Sequence, residues 1–240
     1  MKKLFSIFLI SSLVFSCYKE DDYLLSKLDD NFVVLSAKNK SILADGVSST
    51  EVAVEIPYNT KKEFNKVVLR TSSGKFENDK QEIEAIISKV VIDGKDKKIA
   101  KAKLTASQNV GVVTIEAKIS DFVKSVDINF DRAYAEKIKT DLPALTISYN
   151  NQTITLNTKL TRTTGKPSLL SSAKVFAVDP TGNSVGQFLN YSESANENGV
   201  LTNQFSLGTT SCNCQNILII AETKNSDNSI IRDTTSLKVN

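Results

Sequence analysis

Histidine and tryptophan are absent from the 240 residues, and cysteine occurs only three times. Histidine is the side chain that most readily transfers protons near neutral pH, and it is the commonest metal ligand. Its absence excludes Ser-His-Asp and Cys-His catalysis and the zinc sites that contain histidine. The absence of tryptophan removes a ring that is usual in sugar-binding platforms. Only chemistry based on carboxylates stays open.

Carboxylates are present, but they form no catalytic motif. A glycosidase needs two facing Asp or Glu residues at a defined separation. Asp93-Gly94-Lys95-Asp96 resembles a fragment of a calcium loop but lacks the later bidentate glutamate, and we predict a hairpin turn there. We therefore predict a protein that is not an enzyme and has no cofactor or metal. The scattered carboxylates are Glu51, Glu55, Glu82, Glu84, Asp93, Asp96, Glu116, Asp121, Asp127, Asp179 and Glu193.

The charge is nearly balanced. The formal net charge is +3, with 24% charged and 40% apolar residues, which is typical of a globular protein. The sequence has no strongly basic stripe, so it does not predict a nucleic-acid partner. The lysines at Lys61-Lys62 and Lys95–Lys103 are predicted to protect exposed sheet edges against pairing, with contact to an anionic surface as the alternative.

The first residues have the pattern of an export signal. Lys2 and Lys3 precede the apolar run Leu4–Phe15, which is far shorter than the roughly 20 residues that cross a bilayer. A basic start, a short apolar run and a small residue are typical of a signal peptide that is removed. No second long apolar segment follows, so we expect nothing that spans the membrane after maturation.

Val14-Phe15-Ser16-Cys17 resembles a lipobox, although Phe15 is bulkier than the residue usual at its position. The resemblance implies cleavage before Cys17 and acylation of its sulfur, with residues 1–16 as signal peptide and 17–31 as a short acidic, lipidated tether. An ordinary signal peptide with an incidental Cys17 is the alternative. Each buried methylene of an acyl chain contributes about 0.8 kcal/mol, so several chains would anchor the protein stably.

Lys19, Glu20, Asp21 and Asp22 resemble the lipoprotein export signal of one phylum of Gram-negative bacteria. The resemblance implies a lipid-anchored protein of the outer membrane that faces the cell surface. The alternatives are a solvated charged tether and a location on the periplasmic face of the same membrane.

From Phe32 onward the pattern is that of β-strands separated by turn residues. Val52, Val54 and Ile56 alternate with polar residues, as in a half-buried strand. A helix is the alternative for Ile83–Val91, and 132–143 is predicted as a linker in which Ala133–Ile138 is helical or extended. The predicted strands are Phe32–Ala37, Glu51–Ile56, Val67–Thr71, Ile83–Ile92, Ile99–Ala106, Val110–Ile119, Val123–Phe130, Leu145–Tyr149, Thr153–Arg162, Ala173–Val178, Gly186–Leu189, Leu201–Leu207, Ile217–Glu222 and Ile230–Val239.

Several segments in the first half resemble bacterial Ig-like domains of the invasin and intimin group. The resemblance covers 32–131 and rests on an Ala44-Asp45-Gly46 turn, a Thr-Ser-x-Gly-x-Phe segment at Thr71–Phe76, and the strands Ala100–Leu104 and Val113–Ala117. It implies an Ig-like β-sandwich. Glycines 46, 74 and 199 are predicted to have positive φ, which glycine adopts at little cost.

The second half resembles the same group more loosely. The order is a Gly-x-Pro turn at Gly165–Pro167, the strand Ala173–Val178, a Gly-x-Phe corner at Gly186–Phe188, and the Asn198–Thr202 turn into a strand. Phe76 and Phe188 are predicted as core residues, and Asp179–Asn183 as a turn set by proline and glycine. The predicted fold class is thus all-β, with a second Ig-like β-sandwich at 144–240 in tandem with the first.

Cys212 and Cys214 form a Cys-x-Cys in a polar turn. Three interpretations are open. The pair forms a tight disulfide, which an oxidising exterior permits although the geometry is strained. Alternatively, the residues are inert thiols, or they bind a soft metal such as Cu(I).

The Ig-like resemblance implies a non-enzymatic, lipid-anchored outer-membrane or cell-surface protein with an adhesion, spacer or protein-interaction role. Its partners would be the membrane, through the anchor, and an unidentified protein or glycan ligand. The alternative is an accessory subunit of an outer-membrane glycan-binding or transport system. An exposed aromatic stripe built from Tyr149, Phe188 and Tyr191 would favour that alternative.

Overall fold

The computed structural model describes residues 32–209 and 214–240. In these ranges the chain is built from β-strands, with one turn of 3-10 helix at Glu77–Asp79, which confirms the all-β class. The described residues contain no helical segment with the length and hydropathy of a membrane span. The strands are β1 Val34–Ala37, β2 Ser41–Leu43, β3 Ser49–Ile56, β4 Lys66–Thr71, β5 Glu82–Ile86, β6 Ser88–Ile92, β7 Lys95–Thr105, β8 Gly111–Ile119, β9 Phe122–Asp131, β10 Lys137–Asp141, β11 Thr146–Ile147, β12 Thr153–Thr161, β13 Lys174–Val178, β14 Gln187–Leu189, β15 Val200–Ser206, β16 Asn216–Lys224 and β17 Ile230–Val239.

Strands β1 to β9 form two sheets, which together are called the first sandwich. The strand orders are β1-β3-β7-β6 and β2-β9-β8-β4-β5. Only β2 and β9 pair in parallel among these strands. The predicted alternation on β3 is confirmed, because Val52, Val54 and Ile56 are buried while Glu51 is exposed. Apolar residues at every second position therefore supply the core between the sheets.

The segment Ile83–Ile92 differs from its prediction. It is neither one strand nor a helix, but two strands that belong to different sheets, β5 and β6. The division falls at Ile87, whose side chain is buried and whose N–H donates to the carbonyl oxygen of Asn65 at 2.8 Å. The chain crosses from one sheet to the other at this residue, so the burial period of a single strand is broken.

Strands β10 to β17 form a second pair of sheets, called the second sandwich. Their orders are β10-β12-β15-β14 and β11-β17-β16-β13. The core contains Leu156, Phe205 and Ile219, which are fully buried. Strand β10 lies inside 132–143, the segment predicted as a linker, and pairs with β12 over five residues. This segment, 132–143, is called the connector below; it is extended and adds a strand to the second sandwich.

The positive-φ glycines and the core phenylalanines are found as expected. Gly46, Gly74 and Gly199 have φ of 80°, 77° and 75°. Phe76 is buried, and Phe188 is partly buried against the core of the second sandwich. At Gly74 a side chain is also excluded by space, because a Cβ would lie 2.6 Å from the carbonyl oxygen of Thr105.

Candidate functional site

The residues predicted to anchor and export the protein lie outside the described residues. They are Cys17 and the export residues Lys19, Glu20, Asp21 and Asp22. Acylation and surface export stay predictions.

The Cys-x-Cys is described in part. Cys214 is disulfide-bonded and packs, partly buried, against the core of the second sandwich. Its sulfur lies 3.9 Å from the hydroxyl oxygen of Tyr149. Cys212, the partner predicted from the sequence, lies outside the described residues. The pairing of Cys212 with Cys214 therefore stays a prediction.

The two sandwiches meet at a hydrogen-bonded junction that is organised by Asp45. The Asp45 side chain is buried, and its Oδ1 accepts hydrogen bonds from the N–H groups of Val47 at 2.9 Å and Ser48 at 2.6 Å. The Ser48 hydroxyl donates to Oδ2 at 2.7 Å. Burial by itself raises the pKa of Asp45, but these hydrogen bonds outweigh it and hold the pKa below 3.8. The carboxylate therefore stays ionised at neutral pH and fixes the turn that follows it.

Backbone groups around this turn bond directly to the second sandwich. The Lys166 N–H donates to the carbonyl oxygen of Asp45 at 2.8 Å, and the Ser168 hydroxyl donates to that of Ala44 at 2.9 Å. The hydroxyl oxygen of Ser168 also accepts a hydrogen bond from the N–H of Ala133 at 2.7 Å. The backbone N–H of Ser168 donates to the carbonyl oxygen of Ala133 at 2.9 Å. Ser168 thus joins the end of the first sandwich, the connector and the second sandwich in one buried network.

Gln108 makes a second set of contacts across the junction. Its Nε2 donates to the carbonyl oxygens of Pro167 at 2.9 Å and Glu197 at 3.2 Å. The backbone carbonyl oxygen of Gln108 accepts a hydrogen bond from the N–H of Leu169 at 2.8 Å. A typical hydrogen bond of this kind contributes about 1 kcal/mol net, so the combined network gives the junction a defined geometry.

Gly165 permits the closest approach of the two sandwiches. Its φ is +70°, and a Cβ there would lie 2.7 Å from the backbone oxygen of Asp45 and 2.9 Å from the Asp45 Cβ and Cγ. No side chain fits this space without displacing Asp45. The glycine predicted from the Gly-x-Pro motif as a turn residue therefore also serves the contact between the sandwiches.

An open groove lies beside the junction on the second sandwich. Its volume is about 420 Å³. Residues of the connector, of the loop before β13, and of β13, β16 and the start of β17 line it. Among them are Arg132, Tyr134, Ser172, Lys174, Glu193, Glu222, Lys224 and Asn228. Of these residues, only Glu193 was considered from the sequence, as a candidate catalytic carboxylate. The others were not predicted to belong to any site.

The predicted turn at Asp179 is confirmed at the opposite end of the second sandwich. Asp179 Oδ1 accepts hydrogen bonds from the N–H and the hydroxyl of Thr181 and from the N–H of Asn183, at 2.9, 2.6 and 2.9 Å. These bonds, led by that from the Thr181 hydroxyl, lower the pKa of Asp179 to about 2. Gly182 has the expected positive φ of 91°. The Asp179 carboxylate thus accepts its hydrogen bonds from groups within its own turn.

Tyr149, Phe188 and Tyr191 do not form an exposed stripe, because only Tyr191 is exposed, at 41%, while Tyr149 and Phe188 are half-buried. Phe188 packs on the core, with its ring centroid 5.1 Å from that of Phe205 and 5.7 Å from that of Tyr191. The Tyr191 hydroxyl accepts the N–H of Val175 at 3.1 Å, and Tyr149 packs against the same core. The feature that would favour a glycan-transport subunit is thus not formed by these three residues.

Several carboxylates considered in the sequence form cross-strand ion pairs on the sheet surfaces. Glu51 pairs with Lys101, and Glu55 pairs with Lys97, each at 2.9 Å. Asp127 accepts the Thr114 hydroxyl at 2.7 Å. In 32–209 and 214–240, no three His, Cys, Asp or Glu residues cluster as metal ligands. The Asp93-Gly94 segment is a hairpin turn between β6 and β7 with φ of 51° and 72°.

No protein family and no curated protein matches the sequence. Among solved structures, the chain is similar to the adhesin InvE of Yersinia pseudotuberculosis, with a TM-score of 0.54, 14% identity, and coverage of 87% of this chain and 59% of InvE. It is also similar to invasin, a bacterial integrin-binding protein, with a TM-score of 0.57, 15% identity, and coverage of 86% of this chain and 39% of invasin. The chain thus spans less than two thirds of either structure. At this identity the likeness shows the fold alone: the described part of the chain consists of Ig-like β-sandwiches.

Proposed function

We propose that this chain is a non-enzymatic, lipid-anchored protein of the outer membrane, displayed on the cell surface. Its two sandwiches act as a stiff spacer that presents the end of the second sandwich for adhesion or protein interaction. The proposal is supported by the lipobox-like sequence that ends at Cys17, the export-like residues that follow it, and the Ig-like fold.

The observation that carries the spacer role is the position of the first strand. Val34, at the start of β1, pairs with Glu55 near the end of β3. Ser49, at the start of β3, directly follows the turn that Asp45 fixes at the junction. The chain before residue 34 therefore joins the first sandwich at the end opposite the junction. At about 3.3 Å per residue, the eight residues of β3 separate these two ends by about 25 Å.

The second sandwich extends the same arrangement. Its strand β12 pairs with β10 through Thr161 and Lys137 near the connector, and it reaches Thr153 at the other end, where Ser206 is its partner. The Asp179 turn belongs to this far end, because β13 runs from Lys174 beside the groove to Val178 next to the turn. Loops held far from the anchor are well placed to meet a partner.

The similarity to InvE and invasin supports the adhesion component of the proposal. InvE is described as an adhesin, and invasin as a bacterial integrin-binding protein. Because the shared feature is the fold, the ligand of this chain is not inferred from theirs.

Acylation is tested with Cys17→Ser in cells fed labelled palmitate. We expect the label to be lost and the protein to leave the membrane fraction, because the acylated sulfur is gone. A protein with both Cys212→Ser and Cys214→Ser lacks the other two cysteines without leaving an unpaired thiol, and it should keep the label. A Cys17→Ser protein that stays labelled and membrane-bound would refute the anchor.

Surface display is tested by protease treatment of intact cells. We expect digestion of the protein while a periplasmic marker stays protected. Replacing Glu20, Asp21 and Asp22 together with alanine should protect the protein in whole cells without loss of palmitate, whereas Asp29→Ala with Asp30→Ala should not. Protection of the unaltered protein until lysis would instead place it on the periplasmic face.

A further inference from the structure

The groove beside the junction contains more cationic groups than its own acidic groups neutralise. Arg132, Lys174 and Lys224 line it, and none of the three forms an ion pair within the described part of the chain. The two acidic residues that line it are Glu193 and Glu222. Whether the groove attracts anions depends on what these two carboxylates already bind.

One of the two carboxylates is already paired with a cation outside the groove. Glu222 lies directly opposite Lys174 in the sheet register, but its Oε1 accepts a hydrogen bond from Nε of Arg232 at 2.7 Å. Glu193 bonds to the hydroxyl of Tyr191, an interaction that adds to burial in raising the pKa of that tyrosine. Glu193 keeps its own negative charge, and Lys174 Nζ lies 5.5 Å from the centroid of the Phe176 ring, a contact that leaves the ammonium charged. Arg132, Lys174 and Lys224 therefore face one carboxylate that no cation pairs with in the described residues, and the groove keeps an excess of positive charge.

The connector is held in place where it lines the groove. Ala133 exchanges two hydrogen bonds with Ser168, at 2.7 and 2.9 Å. The carbonyl oxygen of Tyr134 accepts a hydrogen bond from the guanidinium of Arg162. The backbone on the C-terminal side of Arg132 is thus fixed against the second sandwich before any ligand binds, which reduces the entropic cost of binding.

The remaining lining suits a ligand that carries hydroxyl groups. The side-chain polar groups of Tyr134, Ser172 and Asn228 have no hydrogen-bond partner within the described residues. Hydroxyl and amide groups both donate and accept hydrogen bonds. The volume of about 420 Å³ is that of a small-ligand site. A protein partner would instead cover about 800 Å² of surface.

We propose that this groove binds an acidic sugar unit, with its carboxylate or sulfate held by Arg132, Lys174 and Lys224 and its hydroxyls by Tyr134, Ser172 and Asn228. The proposal goes beyond the spacer and adhesion role and is independent of the lipid anchor. A surface protein with such a groove would bind acidic polysaccharide beside its junction, away from the loops at its far end.

The test is a calorimetric titration of the purified full chain with digalacturonic acid, at low and physiological salt. Its neutral counterpart, galactobiose, has the same rings with the carboxyl groups reduced. We expect binding of the acidic disaccharide at least tenfold tighter than that of the neutral one. Equal binding of both, or no binding of either the acidic disaccharide or a sulfated disaccharide, would overturn the proposal.

Variants locate the binding on the molecule. Lys174→Gln and Arg132→Gln should each weaken binding about five- to tenfold, since a hydrogen bond to a charged group is among the stronger ones. Lys159→Gln removes an exposed lysine on another face of the same sandwich and should leave binding unchanged. An equal loss in Lys159→Gln would show attraction by general charge alone and refute the site.

Two further probes separate the sugar from other anions. Inorganic sulfate should bind more weakly than the acidic disaccharide, because it cannot use the hydroxyl and amide groups. A hexapeptide of aspartate and glutamate should also bind more weakly. Tighter binding of either probe than of the acidic disaccharide would overturn the assignment to a sugar.

Discussion

Replacing Gly165 with alanine tests the junction directly. Gly165 has φ of +70°, and the added Cβ would lie 2.7 Å from the backbone oxygen of Asp45. The substitution therefore has two costs, that of a left-handed backbone conformation and that of displacing Asp45. Gly94→Ala is a matched control, because Gly94 has φ of +72° and no atom within 4 Å of its Cβ position.

The backbone cost, about 1–2 kcal/mol, applies to both substitutions and cancels in the comparison. The displacement applies only at Gly165. It breaks the hydrogen bond from the Lys166 N–H to Asp45, at 2.8 Å, and disturbs the turn that the buried Asp45 carboxylate holds. Two or three such bonds at about 1 kcal/mol each give an excess destabilisation of about 2 kcal/mol.

Scanning calorimetry of the full chain measures the difference. For a chain of this size, an excess of about 2 kcal/mol lowers the melting temperature of Gly165→Ala by about 4–8 °C relative to Gly94→Ala. Small-angle scattering should also show a broader distribution of maximum dimension for Gly165→Ala alone. Equal melting temperatures and identical scattering curves would refute the claim that Asp45 and Gly165 lock the sandwiches together.

Two further predictions concern the second sandwich. The Asp179 carboxyl should titrate near its lowered pKa of about 2. Its contribution to the free energy of unfolding should be complete above pH 3.8 and should be lost as the pH falls towards 2. Carbon-13 NMR measures the titration, and a midpoint near 3.8 would contradict the hydrogen-bonded turn. Phe205→Ala should destabilise the fold by about 3–5 kcal/mol because Phe205 is fully buried, whereas Leu145→Ala, at a residue that is 74% exposed, should change the free energy of unfolding by less than about 0.5 kcal/mol. Urea unfolding distinguishes these outcomes, and similar losses in both variants would contradict the placement of the core.

Strands with a clear alternation could be predicted from the sequence because burial on one face leaves a period of two. Val52, Val54 and Ile56 illustrate this on β3. The same argument fails where the chain leaves one sheet for another, as at Ile87. It also misses β2, which has three residues, and β10, whose pattern is too short to be distinguished from an extended connector.

The junction was out of reach of sequence reasoning for a different reason. Ser168 bonds to Ala44 across 124 residues, and Gln108 bonds to Pro167 across 59. No local pattern reports such pairs. The turn at Asp45 and the glycine at 165 were recognised as turn residues, but their contact is a property of the folded chain. The groove likewise combines Arg132 and Lys174, which are separated along the sequence.

Mass spectrometry of the protein extracted from membranes tests the central claim most directly. If the account is correct, the mature chain begins at Cys17, and its first peptide carries the added mass of several acyl chains on that residue. A freely soluble protein with an unmodified first peptide would contradict it.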